Sequence, residues 1–383
     1  MRYLGSRRSR PIAADRHRWD RTLSLATRLR KTLEGAGRAI SLARADPAPV
    51  VPSASYSSGA DCVVVLQRGE NPSTDYYLRP RLEASPGLDW VIADLDERPQ
   101  DVALFADPNR RPRIVFCRYA NPAWLAALEA AAPRLAGVSL FMDDDLPAMV
   151  ADRSLPAAAR GKVARHYARH AEALSKLTDQ VWVSTPELAR RYPAMRATVL
   201  EPVPEADPPA PSPADCRLIV YHGTDVHGAE RHFALEVACR FPVHRIPASF
   251  EITGDDALAA DARSLAHVSI TPQRPWPEYR SVEAGRQAAI LLGPLQDSAV
   301  NGARASVKRF DAARLGAAGV YADALPYAAD VTDGKDGLLL SMEPDAWVAA
   351  LIALMENPAC RQAIAEAARL RLIALRRKLR ALP

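Results

Sequence analysis

Three places in this 383-residue chain collect side chains able to do chemistry. The first is YHGTDVHGAERHF, residues 221–233, with three histidines and two carboxylates in thirteen residues. A metal held by histidines on a helix needs them about four apart, whereas His222, His227 and His232 step by five, about 500° of helical rotation per step. They scatter around the axis, so a metal site is not expected. Instead His222 ends the apolar run RLIVYH, and Gly223, Thr224 and Gly228 mark a turn before a helical pattern. A strand, a loop of small residues and a helix N-terminus form a place where backbone N–H groups and the helix dipole favour an anion. Gly223, Thr224 and His227 are therefore candidates for contacting a phosphate or sugar; a plain structural turn is the alternative.

The second place is Asn301, Arg304, Lys308 and Asp311, after the buried-strand pattern AAILLGPL. Read as a helix beginning near Ala303, this stretch puts residues 304, 308 and 311 on one face. Two cations followed by a carboxylate suit a sugar nucleotide, the cations on its diphosphate and the carboxylate on ribose hydroxyls. A solvated face with intrahelical ion pairs is the other reading. The third place is Asp143, Asp144 and Asp145 at the end of GVSLFM, with Arg118 just past RIVFC. These carboxylates either face a ligand cleft, cap the following helix, or hold a divalent metal as a strand-end D-x-D does. His166 and His170 lie four apart with no further ligand pattern and read as a solvated helix face.

The elements that must position these groups alternate. Short β-rich apolar runs at 62–66, 90–93, 113–117, 137–142 and 180–184 are separated by stretches including NPAWLAALEAAAPRLA and LPAAARGKVARHYARHAEALSKL, whose spacing is helical. After EPVPEADPPAPSPADC, residues 201–216 with six prolines, the alternation resumes at 217–223, 250–254, 267–272, 288–295 and 319–323. Continuous apolar strands joined by helices predict parallel sheets covered on both faces. The chain is expected to be α/β, with two Rossmann-like domains facing across a cleft. Their expected limits are 59–203 and 217–357, with a Pro-rich linker at 204–216, a basic N-terminal arm at 1–58 and a basic amphipathic helix at 358–383. Ligands in such sheets bind beyond the carboxyl ends of the strands, where all three groups lie.

Composition narrows the partners. No stretch approaches the ~20 apolar residues of a membrane span, and the arginine-rich start lacks a signal-peptide core, so a cytoplasmic location is expected. Five cysteines without a CxxC pair indicate neither zinc nor a disulfide framework. The net charge of +5 is uneven: residues 1–45 carry twelve Arg and Lys against Asp15, Asp20 and Glu34. Leu372, Leu375 and Leu379 recur at helical spacing among six basic residues near the C-terminus. That pattern fits either packing on the domain or peripheral contact with anionic membrane on the inner face of the plasma membrane. No nucleic-acid partner is expected.

Residues 289–350 resemble the C-terminal domain of GT-B glycosyltransferases, especially the nucleotide-sugar family 4. The resemblance rests on Asn301, Arg304, Lys308, Asp311, Gly316, Pro326, Tyr327, Asp333, Gly334 and the GLLL run from Gly337. YHGTDVHGAE is similar to that family's entry to the domain through Gly223, Thr224 and His227, and SLFMDDDL resembles an acidic segment of one bacterial branch. The resemblance implies a metal-independent transferase with a UDP- or GDP-sugar donor and no further cofactor. It also implies a saccharide or lipid-linked acceptor in surface polysaccharide or glycoconjugate biosynthesis. Arg304, Lys308 and the 223–228 loop would bind the donor, and Asp143, Asp144 and Arg118 would serve catalysis. Two departures stand out: Asp311 replaces the usual Glu, and Ala303 stands where the first acid of an E-x7-E pair belongs. The second keeps open a noncatalytic sugar-nucleotide binder or scaffold. A metal-dependent GT-A transferase built on Asp143–Asp145 is the rival within the enzyme class, and it leaves the second α/β unit unexplained.

Overall fold

A computed structural model describes residues 48–56, 59–224 and 226–383. Two six-stranded sheets, both wholly parallel, organise the chain. The first has the order β2-β1-β3-β4-β5-β6, from β1 (Cys62–Gln67), β2 (Asp89–Asp94), β3 (Pro112–Cys117), β4 (Gly137–Met142), β5 (Gln180–Val183) and β6 (Thr198–Val199). The second is ordered β12-β11-β10-β7-β8-β9. It comprises β7 (Leu218–Tyr221), β8 (Ser249–Thr253), β9 (Val268–Thr271), β10 (Ile290–Gly293), β11 (Ala318–Ala322) and β12 (Leu338–Leu340). The central strands β1, β4, β10 and β11 are buried along their whole length, which is why their sequences are unbroken apolar runs.

In each sheet the chain first builds to one side of its first strand and then crosses to the other. The switch points fall between β1 and β3 and between β7 and β10, where ligands enter open α/β sheets.

Each sheet has its own apolar core, centred on Ile114, Phe116, Trp124 and Leu140 in the first unit and on Ile219, Phe250, Leu291 and Trp347 in the second. A third cluster crosses between them. It joins Tyr76, Tyr77, Phe141 and Trp182 of the first unit to Phe310, Ala313 and Leu372 of the second. Leu372 arrives on the final helix, Pro358–Arg377, which also packs on β11 and on the helix Lys308–Arg314. Its apolar stripe is therefore covered by protein: Leu372 is 1% exposed and Leu375 is partly buried in the same cluster. Leu379 lies past the helix end.

The expected basic arm lies mostly outside the described residues. Within it, residues 48–56 pack on the first unit, with Val50 in its core and the Tyr56 hydroxyl donating to Leu177 O at 2.6 Å. That part is not a separate arm.

The proline-rich segment has no helix or strand but is docked rather than extended into solvent. Val203 N donates to Tyr76 O, Ser212 N to Gly316 O, and Arg361 Nη2 to Pro213 O and Ala214 O. Gly316 is needed there. Its φ of +61° disfavours a side chain, and a Cβ would lie 2.7 Å from Ala210 O and 2.8 Å from Ser212 N.

Candidate functional site

At the carboxyl edge of the first sheet the apolar strands stop and charges begin. Arg118 follows β3 with a φ of +70°, a left-handed conformation rarely adopted by a side-chain-bearing residue and often found at functional sites. Its N–H donates to Phe141 O at 2.8 Å, anchoring the turn beside β4. Its guanidinium reaches Asp143 (Nε to Oδ1 3.6 Å) and Asp144 (Nη1 to Oδ2 3.5 Å). Ser73 Oγ donates to Asp143 Oδ2 at 2.5 Å. Arg118 Nε and Asp143 Oδ1 are buried yet have no hydrogen-bond partner, and such orphans in a folded protein call for an explanation. Asp145 does something else. It caps the helix Leu146–Ala151, accepting from Ala148 N at 3.0 Å, and binds Arg191 and Tyr192.

Across the cleft, the second unit presents its groups from three loops. His227 sits at the N-terminus of the helix Gly228–Arg240, after the turn in which its N–H donates to Thr224 O at 3.0 Å. Gly223 precedes that turn, and a Cβ there would lie 2.5 Å from the Tyr221 hydroxyl. Thr224 is exposed, and its carbonyl accepts from Arg231.

The helix expected from about Ala303 begins only at Lys308; a short helix, Ala299–Gly302, precedes it, and Arg304 lies in the bend between. Only Lys308 and Asp311 share a helical face. Arg304 leaves that face because its guanidinium is drawn to two partners. Nε donates to Asp144 Oδ1 at 2.8 Å, and Nη1 donates to His227 Nε2 at 2.9 Å. Asn301 Oδ1 stands 3.5 Å from the same Nη1. Lys308 Nζ donates to His222 O and, at 3.2 Å, to Asp311 Oδ2. Asp311 is itself enclosed, 8% exposed, with Arg314 3.3 Å from Oδ1 and the Tyr76 hydroxyl of the first unit donating to that oxygen at 3.1 Å.

The charges are tuned apart. Burial, with the like charge of Asp144, holds the Asp143 carboxyl above the usual aspartate range against the pull of Arg118 and Ser73. Asp144 goes the other way: burial alone would raise it, but Arg304 and Arg118 hold it below the ordinary value. Burial lowers His227 despite Glu230, whose Oε1 lies 3.7 Å from Nδ1. A neutral imidazole then accepts from Arg304 at Nε2.

A cavity of about 90 Å³ opens at the β7/β10 switch point, bordered by Tyr221, His227, Gly293, Arg304, Lys308 and Tyr327. That is smaller than the ~300–1,000 Å³ of pockets that hold drug-sized ligands. A second cavity, about 290 Å³, lies between Tyr76, Glu205, Arg280 and Arg314 beside the linker.

The three histidines of residues 221–233 do not converge. His222 contacts Tyr279 and Glu251, and His232 turns back to Gly228 O. His222, Glu251 and Glu283 are close enough to share an ion, but Arg286 bridges both carboxylates at 2.7–3.0 Å and already neutralises them. His166 and His170 are half-buried rather than on a solvated face, because the helix expected over 155–177 breaks at Tyr167.

No family model matches the sequence, and no curated protein matches it. Solved structures do match in shape. HepE from Anabaena, in complex with UDP-glucose, superposes over 83% of this chain and 97% of its own with a TM-score of 0.56 at 11% identity. Sucrose-phosphate synthase from Thermosynechococcus elongatus covers 82% of this chain and 94% of its own, TM-score 0.52, at 15% identity. Both are GT-B glycosyltransferases. The fold is GT-B. That architecture gives the strand-end aspartates a setting unlike the single sheet of a GT-A protein: Asp144 meets Arg304 of the second unit.

Three groups of this GT-B site escape sequence reasoning. Ser73 and Tyr76 flank and occupy a widened helical turn, Thr74–Leu78, whose i→i+5 hydrogen bonding in a single turn leaves no familiar pattern. Glu230, 4% exposed, accepts from Gln296 N and faces His227; its spacing of three from that histidine was the available signal.

Proposed function

We propose that the protein is a glycosyltransferase that moves a sugar from a UDP- or GDP-linked donor to a saccharide or lipid-linked acceptor in polysaccharide or glycoconjugate assembly. The observation that carries this reading is the placement of Arg304, Lys308 and His227 around one switch-point cavity, opposite Asp143, Asp144 and Arg118 at the other sheet.

In the open form the donor diphosphate lies against Arg304 and Lys308, with the Gly223–Thr224 turn, His227 and Asn301 around it. Asp311 receives the ribose after releasing Tyr76. The acceptor hydroxyl oxygen attacks the anomeric carbon, and the bond from that carbon to the diphosphate oxygen breaks. The electron pair leaves with the diphosphate, whose growing charge the two cations stabilise. The hydroxyl proton passes to Oδ1 of Asp143, which accepts no hydrogen bond and whose raised affinity for protons suits a general base. Arg118 positions Asp143 and Asp144. Closure of the units excludes water and so limits hydrolysis of the donor.

With two fixed cations in the role a metal often fills, turnover is expected to be metal-independent. Consumption of UDP-glucose or GDP-mannose in the presence of EDTA tests this. Loss of all turnover in chelator, restored by manganese, would refute metal independence. A binding-only protein is the second reading, favoured by Ala303, which is fully buried where an acid would otherwise stand. It predicts saturable nucleotide binding without sugar release in the same assay. No helix among the described residues is long and apolar enough to cross a membrane. Contact with the inner face of the plasma membrane is proposed through Arg376, Arg377, Lys378 and Arg380, because the leucine stripe of the last helix is engaged by protein.

A further inference from the structure

The first sheet's own switch point, between β1 and β3, is flanked by Arg68 and Arg118, the residues that follow those two strands. Tyr119, 6% exposed, is the hub of what lies there. Arg118 Cζ is 5.4 Å and Lys162 Nζ 5.3 Å from the centre of its ring, and His166 meets the ring edge-on at 5.9 Å. Arg68 Nη1 donates to His166 Nε2, so that imidazole is neutral and accepts.

The charges around this hub do not balance. Arg118 and Arg304 are matched by Asp143 and Asp144. Arg68 and Lys162 have no carboxylate partner among the described residues. The acid on the neighbouring strand end, Asp94, accepts from Gly69 N at 2.8 Å rather than from Arg68. Lys162 feels loss of hydration first and then Arg118 and Arg68, all of which lower its pKa. His166 is pushed down to about 4 by burial and by Arg68, Arg165, Lys162 and His170. Lys162 is exposed at the rim and Arg68 is half-buried, so water screens part of their mutual repulsion, and an anion bound to both removes the rest.

We propose that Arg68 and Lys162, gathered around Tyr119 and His166 next to Arg118, bind a dianionic phosphate group carried by the acceptor. The inference rests on the glycosyltransferase reading, in which the first unit holds the acceptor, and it names the chemical class of that substrate. An excess of two positive charges matches a phosphate monoester or pyrophosphate. The planar guanidinium of Arg68 grips two oxygens, and Lys162 supplies a point charge. The position beside Arg118 brings the hydroxyl of such an acceptor toward Asp143.

Calorimetric titration of the full chain, saturated with UDP, tests this with phenyl phosphate as the soluble probe. Phosphatidylcholine vesicles with and without phosphatidic acid serve as the lipid-borne probe. The double variant Arg68→Gln/Lys162→Gln is expected to weaken phosphate binding by about tenfold or more in whichever arm the wild type binds. Lys162→Arg, which keeps the charge, is expected to retain binding. UDP affinity should stay unchanged in all three proteins. Equal phosphate affinity in the wild type and the double variant, with UDP still bound, overturns the proposal and leaves the donor site standing. Failure of the wild type to bind UDP would instead sink the glycosyltransferase reading, and phosphate titration of the unloaded protein would still report on the cluster.

Discussion

Replacing Asp144 by Asn tests the central arrangement, because the sign of the effect depends on what Arg304 is for. Arg304 Nε donates to Asp144 Oδ1 at 2.8 Å, both side chains are largely shielded from water, and the Asp144 carboxyl is held below its ordinary pKa. A hydrogen bond between charged groups in such a setting is worth about 1.5–3 kcal/mol. If Arg304 must leave Asp144 to bind a diphosphate, Asn at 144 removes that competition along with a negative charge facing the donor. Both changes act in one direction. UDP affinity measured by calorimetry should rise by roughly tenfold, since ~1.4 kcal/mol corresponds to a factor of ten. The same substitution in an Arg304→Ala background should give a smaller gain, because only the loss of the facing charge remains, and the difference turns the pair into a double-mutant cycle. Unchanged or weaker UDP binding by a folded Asp144→Asn protein, or an equal gain without Arg304, would refute the reasoning.

Lys308→Ala removes a cation at the same cavity, and UDP affinity is expected to fall by at least ~10-fold by calorimetry, a loss within the worth of one charge-assisted bond. For Asp143, burial and the neighbouring Asp144 raise the carboxyl, so its basic form is lost as pH falls at values above those of an ordinary aspartate. The kcat/KM profile should carry that acid limb, and Asp143→Asn should lower kcat by about 10²–10⁴ while the residual rate loses the limb. Gly316→Ala places a Cβ against the linker backbone at a positive φ and should cost about 1–3 kcal/mol in denaturant unfolding.

The sheets were readable because their strands are buried on both faces and therefore spell continuous apolar runs, as CVVVL and GVSLFM do. β6 and β12, two and three residues long and not fully buried, are too short for their TV and LLL to register as strands. The donor-side residues Arg304 and Lys308 were legible as charges of the right type, but not in their geometry. The bend at 303–307 exists because Arg304 answers to Asp144, a residue 160 positions earlier. Local periodicity carries no record of that pairing. The same holds for Asp311, whose partner Tyr76 comes from a widened turn in the other unit. Arg118 was placed correctly at a strand end, yet its left-handed backbone is imposed by the neighbours it must reach.

The cluster formed by Tyr76, Phe141, Trp182, Phe310 and Leu372 makes the two halves mutually dependent. A fragment ending within the proline-rich segment would leave large aromatic rings bare where the last helix now lies, and such a surface self-associates. Trimming that helix before residue 372 should harm the amino-terminal half, some three hundred positions away in the chain, as much as the half to which it is attached. The chain closes on itself like a clasp, and its final turns fasten the part that was made first.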